Sequence, residues 1–181
     1  MTNATITRIA VTVPGNTIIY NVFQNAARSY NSGIEVVVSS DVKKWLSVNF
    51  NATSYYNQID AFTVINKYPQ VDTISVDGQS LISGNAKLNA VFHFKKDLDV
   101  QLTSIYLAPD IVPQGKIGAR FSLDLGIQKT IQKGKGTVFL NATDLLNTMV
   151  IRQEVQGQGF YFTSNNYHET QVVRIGYKYR F

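Results

Sequence analysis

The chain has 181 residues, 44% of them hydrophobic and 16% charged, with a net charge of +5 and no cysteine. This length suffices for one domain with a sizeable buried surface, and the lack of cysteine excludes disulfides and thiolate metal sites. Positive charge admits nucleic acid or an anionic surface as partner. The charged fraction is low, however, and no basic cluster has interleaved aromatic residues, which argues against a nucleic-acid groove.

Apolar and polar residues alternate along most of the chain. No apolar run approaches the roughly 20 residues of a membrane-spanning helix, so helical membrane proteins are excluded. A period of two is typical of strands that have one face in an apolar environment. Strands of outer-membrane barrels alternate in this way, and the mean hydropathy of −0.07 agrees with such a composition.

The alternation predicts seven complete spanning strands. The stretch near 3–13 would supply the outer end of an eighth strand. Each stretch has roughly ten residues, which at about 3.3 Å per residue and a tilt near 45° cover about 23 Å. This depth is close to the ~25 Å apolar band of an outer-membrane barrel. The complete strands are predicted at about 28–40, 45–57, 82–94, 98–108, 117–131, 136–155 and 170–181.

Short and long connections alternate between these strands. Short turns on one side and long loops on the other are typical of outer-membrane barrels. Prolines belong outside fully paired strands, and Pro14-Gly15-Asn16 and Asp77-Gly78 predict turns at hairpin tips. The short turns that carry lysine lie at 41–44, 95–97 and 132–136, the longer polar loops lie at about 57–83, 109–116 and 156–169, and the prolines are Pro14, Pro69, Pro109 and Pro113.

Aromatic residues fall near the predicted strand ends. Trp45 lies beside the Lys43-Lys44 turn, where an interfacial aromatic residue anchors a barrel; packing in the core of a soluble sheet is the alternative. A second set lies at the long-loop ends, and we expect an outer aromatic girdle there, with stacking on a ligand as the alternative. This set comprises Tyr55, Tyr56, Tyr106, Phe160, Tyr161, Phe162 and Tyr167.

No pattern of catalytic, cofactor-binding or metal-binding residues is present, so we do not expect an enzyme. His93 and His168 are far apart and lack a second ligand at metal spacing, and no phosphate loop, dinucleotide fingerprint or nucleophile motif occurs. The interior carboxylates are expected to pair with basic side chains, a glycosidase-like carboxylate pair being the alternative. These groups are Glu35, Asp99, Asp124 and Asp144, with Arg120, Arg174 and Lys178 as partners.

The segment 171–181 resembles the last strand of TonB-dependent outer-membrane receptors. That resemblance implies that Tyr177, Tyr179 and Phe181 form the signal read by the barrel-assembly machinery. The stretch 140–148, Leu-Asn-Ala-Thr-Asp-Leu-Leu-Asn-Thr, is similar to the family's penultimate-strand motif, with Leu146 where the family commonly has Phe. The stretches 32–35, 44–48 and 122–126 are similar to receptors of the Bacteroidetes type.

The resemblance implies an all-β fold, an antiparallel transmembrane β-barrel in the outer membrane of a Gram-negative cell. Residues 1–181 would supply seven or eight of about 22 strands, as the C-terminal portion of the barrel. The implied function is TonB-dependent uptake of a scarce ligand, an iron chelate or a glycan. TonB itself would act through a plug domain outside this chain. Met1 to Thr5 lacks the features of a signal peptide, so either a signal peptide has been removed or, as we expect, the chain is the tail of a longer precursor.

Two alternatives remain open at this point. The first is a self-contained small barrel of about eight strands with an adhesion or structural role, which needs residues 1–22 to supply a strand that closes against 170–181. The second is a soluble β-barrel or sandwich that binds a small ligand. A soluble protein must cover its apolar surface, so this alternative predicts that the apolar strand faces point inward.

Overall fold

A computed structural model describes residues 6–13, 15, 18–25 and 28–181 of the chain, and almost all of it is strand and turn. None of the described residues forms a helix long and apolar enough to cross a membrane. The strands are β1 (Ile6–Thr12), β2 (Ile19–Asn25), β3 (Ser29–Lys43), β4 (Leu46–Ile59), β5 (Phe62–Asn66), β6 (Asp72–Val76), β7 (Gln79–Phe94), β8 (Leu98–Leu107), β9 (Asp110–Val112), β10 (Gly115–Ile117), β11 (Arg120–Ile131), β12 (Gly136–Thr143), β13 (Ile151–Gly157), β14 (Phe160–Asn166) and β15 (Val172–Tyr179).

The main sheet has seven antiparallel strands in the order β15-β12-β11-β8-β7-β4-β3. Short turns join β3 to β4, β7 to β8 and β11 to β12, all at one end of the sheet, which we call the short-turn end. The opposite end is the long-hairpin end. Within the described residues, β3 and β15 each have a paired neighbour on one side only. The predicted all-β antiparallel class is confirmed.

The register divides the sheet into two chemically different faces. The polar face carries rows of amides, hydroxyls and carboxylates, such as the row formed by Asn49, Asn89, Thr103 and Asp124. The apolar face carries aliphatic and aromatic side chains. One of its rows consists of Val48, Ala90, Leu102, Leu125, Ala142 and Val173, running from β4 to β15. Because side chains alternate along each strand, one register fixes all seven strands in this arrangement.

The apolar face is uncovered. Ile34, Ile82 and Ile175, on three different strands, are exposed to 72%, 73% and 77%. A water-soluble monomer rarely exposes a contiguous apolar surface of this extent. The inward-pointing apolar faces required by the soluble alternative are therefore wrong for the main sheet.

The long connections are hairpins rather than loops, which corrects the prediction. Hairpin β5–β6 prolongs β4 and β7, while β9–β10 prolongs β8 and β11. The hairpin β13–β14 pairs with β10 and forms a four-stranded sheet in the order β14-β13-β10-β9. These strands have only three to seven residues, which is too few for alternation to distinguish them from loops.

The first hairpin, β1–β2, stands apart from the main sheet, so the predicted eighth strand at 3–13 is wrong for the part that the structure describes; residues 3–5 lie outside it. Ile9 is 0% exposed and Val11 is buried, and both pack against Ile74 of β6. Burial of these side chains contributes about 1.5–3 kcal/mol each and holds the hairpin above the sheet.

The predictions for prolines and turns have different outcomes. Pro69, Pro109 and Pro113 all lie outside strands, as predicted. Asp77-Gly78 links β6 to β7 and does not cap a hairpin, because β6 pairs with β5 and β7 with β4. Of the Pro14-Gly15-Asn16 turn, only Gly15 is among the described residues, and its φ of 79° suits glycine.

Candidate functional site at the long-hairpin end

A cavity of about 670 Å³ opens at the long-hairpin end of the polar face. Four parts of the chain enclose it: the ends of β3 and β4, one face of β1–β2, the turn after β9, and one face of β13–β14. Its lining residues are Arg8, Ala10, Ile19, Asn21, Ser29, Asn31, Asn57, Ile59, Val112, Pro113, Gln114, Gln153, Val155, Phe162, Ser164 and Asn166.

The cavity wall is rich in side-chain amides. Amides donate and accept hydrogen bonds at once, so this lining suits a ligand with many hydroxyl or carbonyl groups. Arg8 is the one charged residue of the wall, and Phe162 is its one aromatic residue. The volume falls in the range of small-molecule sites, about 300–1,000 Å³. The site therefore fits a polar ligand of neutral or negative charge.

Gln114 fastens the β1–β2 hairpin to the cavity wall. Its side chain mimics a strand: the Ala10 N–H donates to Oε1 at 2.6 Å, and Nε2 donates to the Ala10 carbonyl at 3.0 Å. Gln114 is buried, so neither bond competes with bulk water. On the opposite side of the cavity, Asp110 accepts from the Tyr55 hydroxyl at 2.6 Å and from Asn57 Nδ2 at 2.7 Å.

The substitution Gln114→Ala is expected to release the β1–β2 hairpin while leaving the main sheet folded. Two buried backbone groups of Ala10 lose their partners, at a cost of about 1–3 kcal/mol for each group. Hydrogen exchange at the Ala10 amide should accelerate by about tenfold or more. The matched control is Gln158→Ala, in the exposed turn between β13 and β14, which should leave this exchange rate unchanged. Equal rates in the two variants would contradict the fastening role.

A second polar centre forms around Asp144, directly after β12. Asp144 is 2% exposed. Its carboxylate accepts from the backbone N–H of Thr148 at 3.0 Å, from that of Met149 at 3.2 Å, and from the Thr170 hydroxyl at 2.6 Å. Its own N–H donates to Asp124 Oδ1 at 2.8 Å. Asp144 thus ties the ends of β11, β12 and β15 together.

This centre corrects the predicted strand 136–155. The strand β12 ends at Thr143, and the chain turns through Asp144 and Asn147, which have φ values of 45° and 53°. The chain then leaves the main sheet and enters β13. Burial acts to raise the pKa of the Asp144 carboxyl, but the Thr170, Thr148 and Met149 hydrogen bonds outweigh it, and the pKa is lowered.

Aromatic residues border the apolar face at the short-turn end. The Trp45 ring stacks on Phe92 with centroids 6.2 Å apart, and Phe92 stacks on Phe94 at 6.4 Å. Tyr179 contacts Tyr177 at 6.4 Å and Phe181 at 5.3 Å. Trp45 therefore lies where an interfacial anchor is expected. Its anchoring role, and the assembly signal of Tyr177, Tyr179 and Phe181, stay predictions.

The aromatic residues of the predicted outer girdle do not all lie on the apolar face. Tyr56 and Tyr106 are exposed on the apolar face, as a girdle requires. Tyr55 lies on the polar face against Asp110, so its girdle role is wrong. The remaining members lie outside the main sheet: Phe160, Tyr161 and Phe162 are in β14, and the Tyr167 hydroxyl donates to Asn147 at 2.8 Å.

Among the described residues, none of the interior carboxylates pairs with Arg120, Arg174 or Lys178, so the predicted ion pairs are wrong. Glu35 accepts from Asn51 at 2.6 Å. The one contact at salt-bridge distance among the described residues joins His93 Nδ1 to Asp99 Oδ1 at 2.8 Å. The register sets these partners: His93 and Asp99 are directly opposed on β7 and β8, and Glu35 and Asn51 are diagonal neighbours on β3 and β4, both within reach of side-chain contact.

His93 also approaches Ser47, an arrangement reminiscent of an activated nucleophile. The Ser47 hydroxyl donates to Asp41 at 2.6 Å, however, while His93 Nε2 lies 3.4 Å away. The serine proton is thus held by a carboxylate rather than by the imidazole. In the part of the chain that the structure describes, no cluster of three or more His, Asp or Glu residues fits a metal ion.

The chain was compared with protein-family models, with curated proteins and with solved structures. A family model described as "Outer membrane protein beta-barrel family" matches residues 1–179. Neither curated proteins nor solved structures gave a match.

Proposed function

Because this chain belongs to the Outer membrane protein beta-barrel family and lies in the outer membrane, we propose that it is part of a TonB-dependent receptor. The receptor takes up a scarce ligand, an iron chelate or a glycan. Residues 1–181 form the C-terminal portion of its barrel. In barrels of this class the short turns face the periplasm and the long connections face outward.

The cavity at the long-hairpin end is the observation that carries this proposal. It lies at the outward end of the polar face, where a ligand from the medium arrives first. Its amide lining and its single cation, Arg8, suit polyhydroxylated or anionic ligands. A purely structural barrel has no need of a walled cavity of about 670 Å³ in this position.

The open sheet supports a larger barrel. An unpaired strand edge exposes N–H and C=O groups, which is costly in lipid. Within the described residues, β3 and β15 each present such an edge, and in the proposal further strands of the receptor pair with both edges. In the proposal these strands and a plug domain belong to the same receptor, TonB contacts the plug, and the barrel-assembly machinery recognises Tyr177, Tyr179 and Phe181.

Growth under nutrient limitation tests the uptake function. Cells that lack the gene should fail to grow on one ligand class, either a ferric chelate as sole iron source or an oligosaccharide as sole carbon source. Deleting TonB should produce the same defect. Normal growth of the deletion strain on both ligand classes, together with unchanged uptake of both ligands, would contradict the receptor. It would favour the small barrel with an adhesion or structural role.

Replacing Phe162 with alanine should weaken ligand binding about tenfold, which corresponds to about 1.4 kcal/mol, because the ring supplies the aromatic surface of the cavity. Tyr161→Ala is the matched control. Tyr161 is the next residue of β14, is 63% exposed and does not line this cavity. Isothermal titration with the ligand identified by the growth assay measures both constants. Equal weakening in the two variants would count against the cavity as the binding site.

A further inference from the structure

The positive charge of the chain is concentrated at the short-turn end, whose net charge exceeds that of the chain as a whole. Nine of the 17 Lys and Arg residues lie there, against three of the 12 carboxylates, Asp41, Asp97 and Asp99. This end is therefore +6, and the rest of the chain is −1, within a total of +5. We call the nine cations the basic rim; they are Lys43, Lys44, Lys95, Lys96, Lys129, Lys133, Lys135, Lys178 and Arg180.

The basic rim is open to its surroundings. All nine residues are exposed, and none of them forms an ion pair within the described residues, where His93–Asp99 is the one contact at salt-bridge distance. Two of the three carboxylates at this end are already engaged, Asp41 by the Ser47 hydroxyl and Asp99 by His93. The positive charge is therefore not neutralised inside the chain, and it is available to an external anion.

The register connects the basic rim to the apolar face. Phe94, Leu98, Lys129, Val138 and Tyr177 lie in one row across five strands. Lys129 is a charged side chain within this apolar row. A lysine at the border of a lipid-facing surface extends its aliphatic stem along that surface and its ammonium toward the headgroups. Aromatic residues such as Trp45 and Tyr177 favour the same depth.

We propose that the basic rim binds the anionic phospholipid headgroups of the periplasmic leaflet. This inference rests on the family assignment, which orients the short turns toward the periplasm; it does not depend on which ligand is transported. Ammonium and guanidinium groups pair with lipid phosphates. Lysine clusters beside a membrane surface attract anionic lipids in general.

Continuity with the apolar face favours lipid over a soluble anionic partner. The same row of side chains holds Lys129 and the aromatic rings that border the lipid. The turn lysines surround this row on three successive turns. A lipid whose acyl chains pack on the apolar face therefore has its phosphate level with the basic rim.

Fluorescence quenching of Trp45 tests the proposal. Trp45 is the single tryptophan of the chain and adjoins the rim. The whole receptor that contains this chain, with any tryptophan outside residues 1–181 replaced by phenylalanine, is reconstituted into phosphatidylcholine vesicles that contain about one-third phosphatidylglycerol, and either lipid is brominated in turn. We expect brominated phosphatidylglycerol to quench at least about twofold more per mole than brominated phosphatidylcholine, because clustered cations enrich anionic lipid. Equal quenching per mole by the two lipids would overturn the proposal.

Two matched variants locate the effect. Changing five turn lysines to glutamine should abolish the excess quenching, whereas removing five cations elsewhere should preserve it. If the excess survives in the turn variant, another surface recruits the lipid and the proposal fails. The turn variant changes Lys44, Lys95, Lys96, Lys133 and Lys135, and the control changes Arg28, Lys67, Lys87, Lys116 and Arg152.

Salt provides a test that does not depend on the folding of any variant. Raising the salt from about 0.1 M to about 1 M shortens the screening length from about 10 Å to about 3 Å. The excess quenching of the native chain should then fall toward that of phosphatidylcholine. An excess that is insensitive to salt would contradict an electrostatic rim. Each of these outcomes is independent of the growth assay for uptake.

Discussion

Placing arginine at Leu102 is expected to destabilise the membrane-inserted fold by about 2–4 kcal/mol, the cost of a charge at the midplane of a barrel's lipid face. Leu102 lies on the apolar face opposite Leu125 of β11. Lys129, at the short-turn border, and Phe121, at the long-hairpin border, are each four residues from Leu125 along that strand. Leu102 is therefore near the middle of the apolar band.

The adjacent residue provides the matched control. Gln101 points to the polar face, opposite Gly126, and Gln101→Arg should change the unfolding free energy by less than about 1 kcal/mol, because a lumen-facing charge remains in water. Urea unfolding from phosphatidylcholine vesicles, followed by tryptophan fluorescence, measures both variants. Similar destabilisation by the two arginines would mean that the two faces of the sheet do not differ in their exposure to lipid and water.

Asp144→Ala is expected to destabilise the fold by about 3 kcal/mol or more. The change leaves the Thr148 and Met149 N–H groups and the Thr170 hydroxyl without their acceptor. These donors are only partly buried, so each loss costs about 1 kcal/mol, the lower end of the range for a buried orphaned donor. It also puts alanine at a φ of 45°, a left-handed conformation that aspartate adopts more readily than alanine because its short polar side chain can form local hydrogen bonds.

Asp97→Ala separates these two contributions. Asp97 has a φ of 55° in an exposed turn, so its replacement brings the backbone strain without the loss of a buried acceptor. We expect the Asp97 variant to lose about 1 kcal/mol or less. If both variants lose the same unfolding free energy in urea, the carboxylate of Asp144 does not hold the strand ends together.

The acid dependence of stability follows from the same carboxylate. The folded-state pKa of Asp144 lies below the ordinary value of 3.8. Its contribution is therefore fully present above pH 3.8 and is lost as the pH falls through the lower, folded pKa. The stability difference between the native chain and Asp144→Asn should thus shrink below about pH 4. An equal difference at pH 7 and at pH 3 would contradict this account.

Alternation in the sequence predicts the main sheet well, since one face of each strand must be apolar. The predicted 45–57 and 98–108 correspond to Leu46–Ile59 and Leu98–Leu107. Prediction fails at 136–155 because the turn at Asp144 depends on Thr170, which lies 26 residues further along the chain. No local periodicity contains that information.

The cavity could not be predicted from the sequence, because segments that are far apart in the chain form it. Its walls come from β1–β2, β3–β4, the turn at Gln114 and β13–β14, and Gln114 reaches Ala10 across 104 residues. One signal was available and unused. Tyr55 and Tyr56 are adjacent in a strand, so only one of them can face the lipid, and the alternation with Asn51 and Asn57 assigns Tyr55 to the polar face.

The central claim is that one face of the main sheet contacts lipid and the other contacts water. Because the chain contains no cysteine, single cysteines can be introduced at each position from Asp99 to Ser104 of β8, spin-labelled and examined in phosphatidylcholine vesicles. We expect accessibility to oxygen to be high at Val100, Leu102 and Ser104. Accessibility to a water-soluble nickel chelate should be high at Asp99, Gln101 and Thr103. Two accessibilities that rise and fall together along β8, without a period of two, would contradict the account.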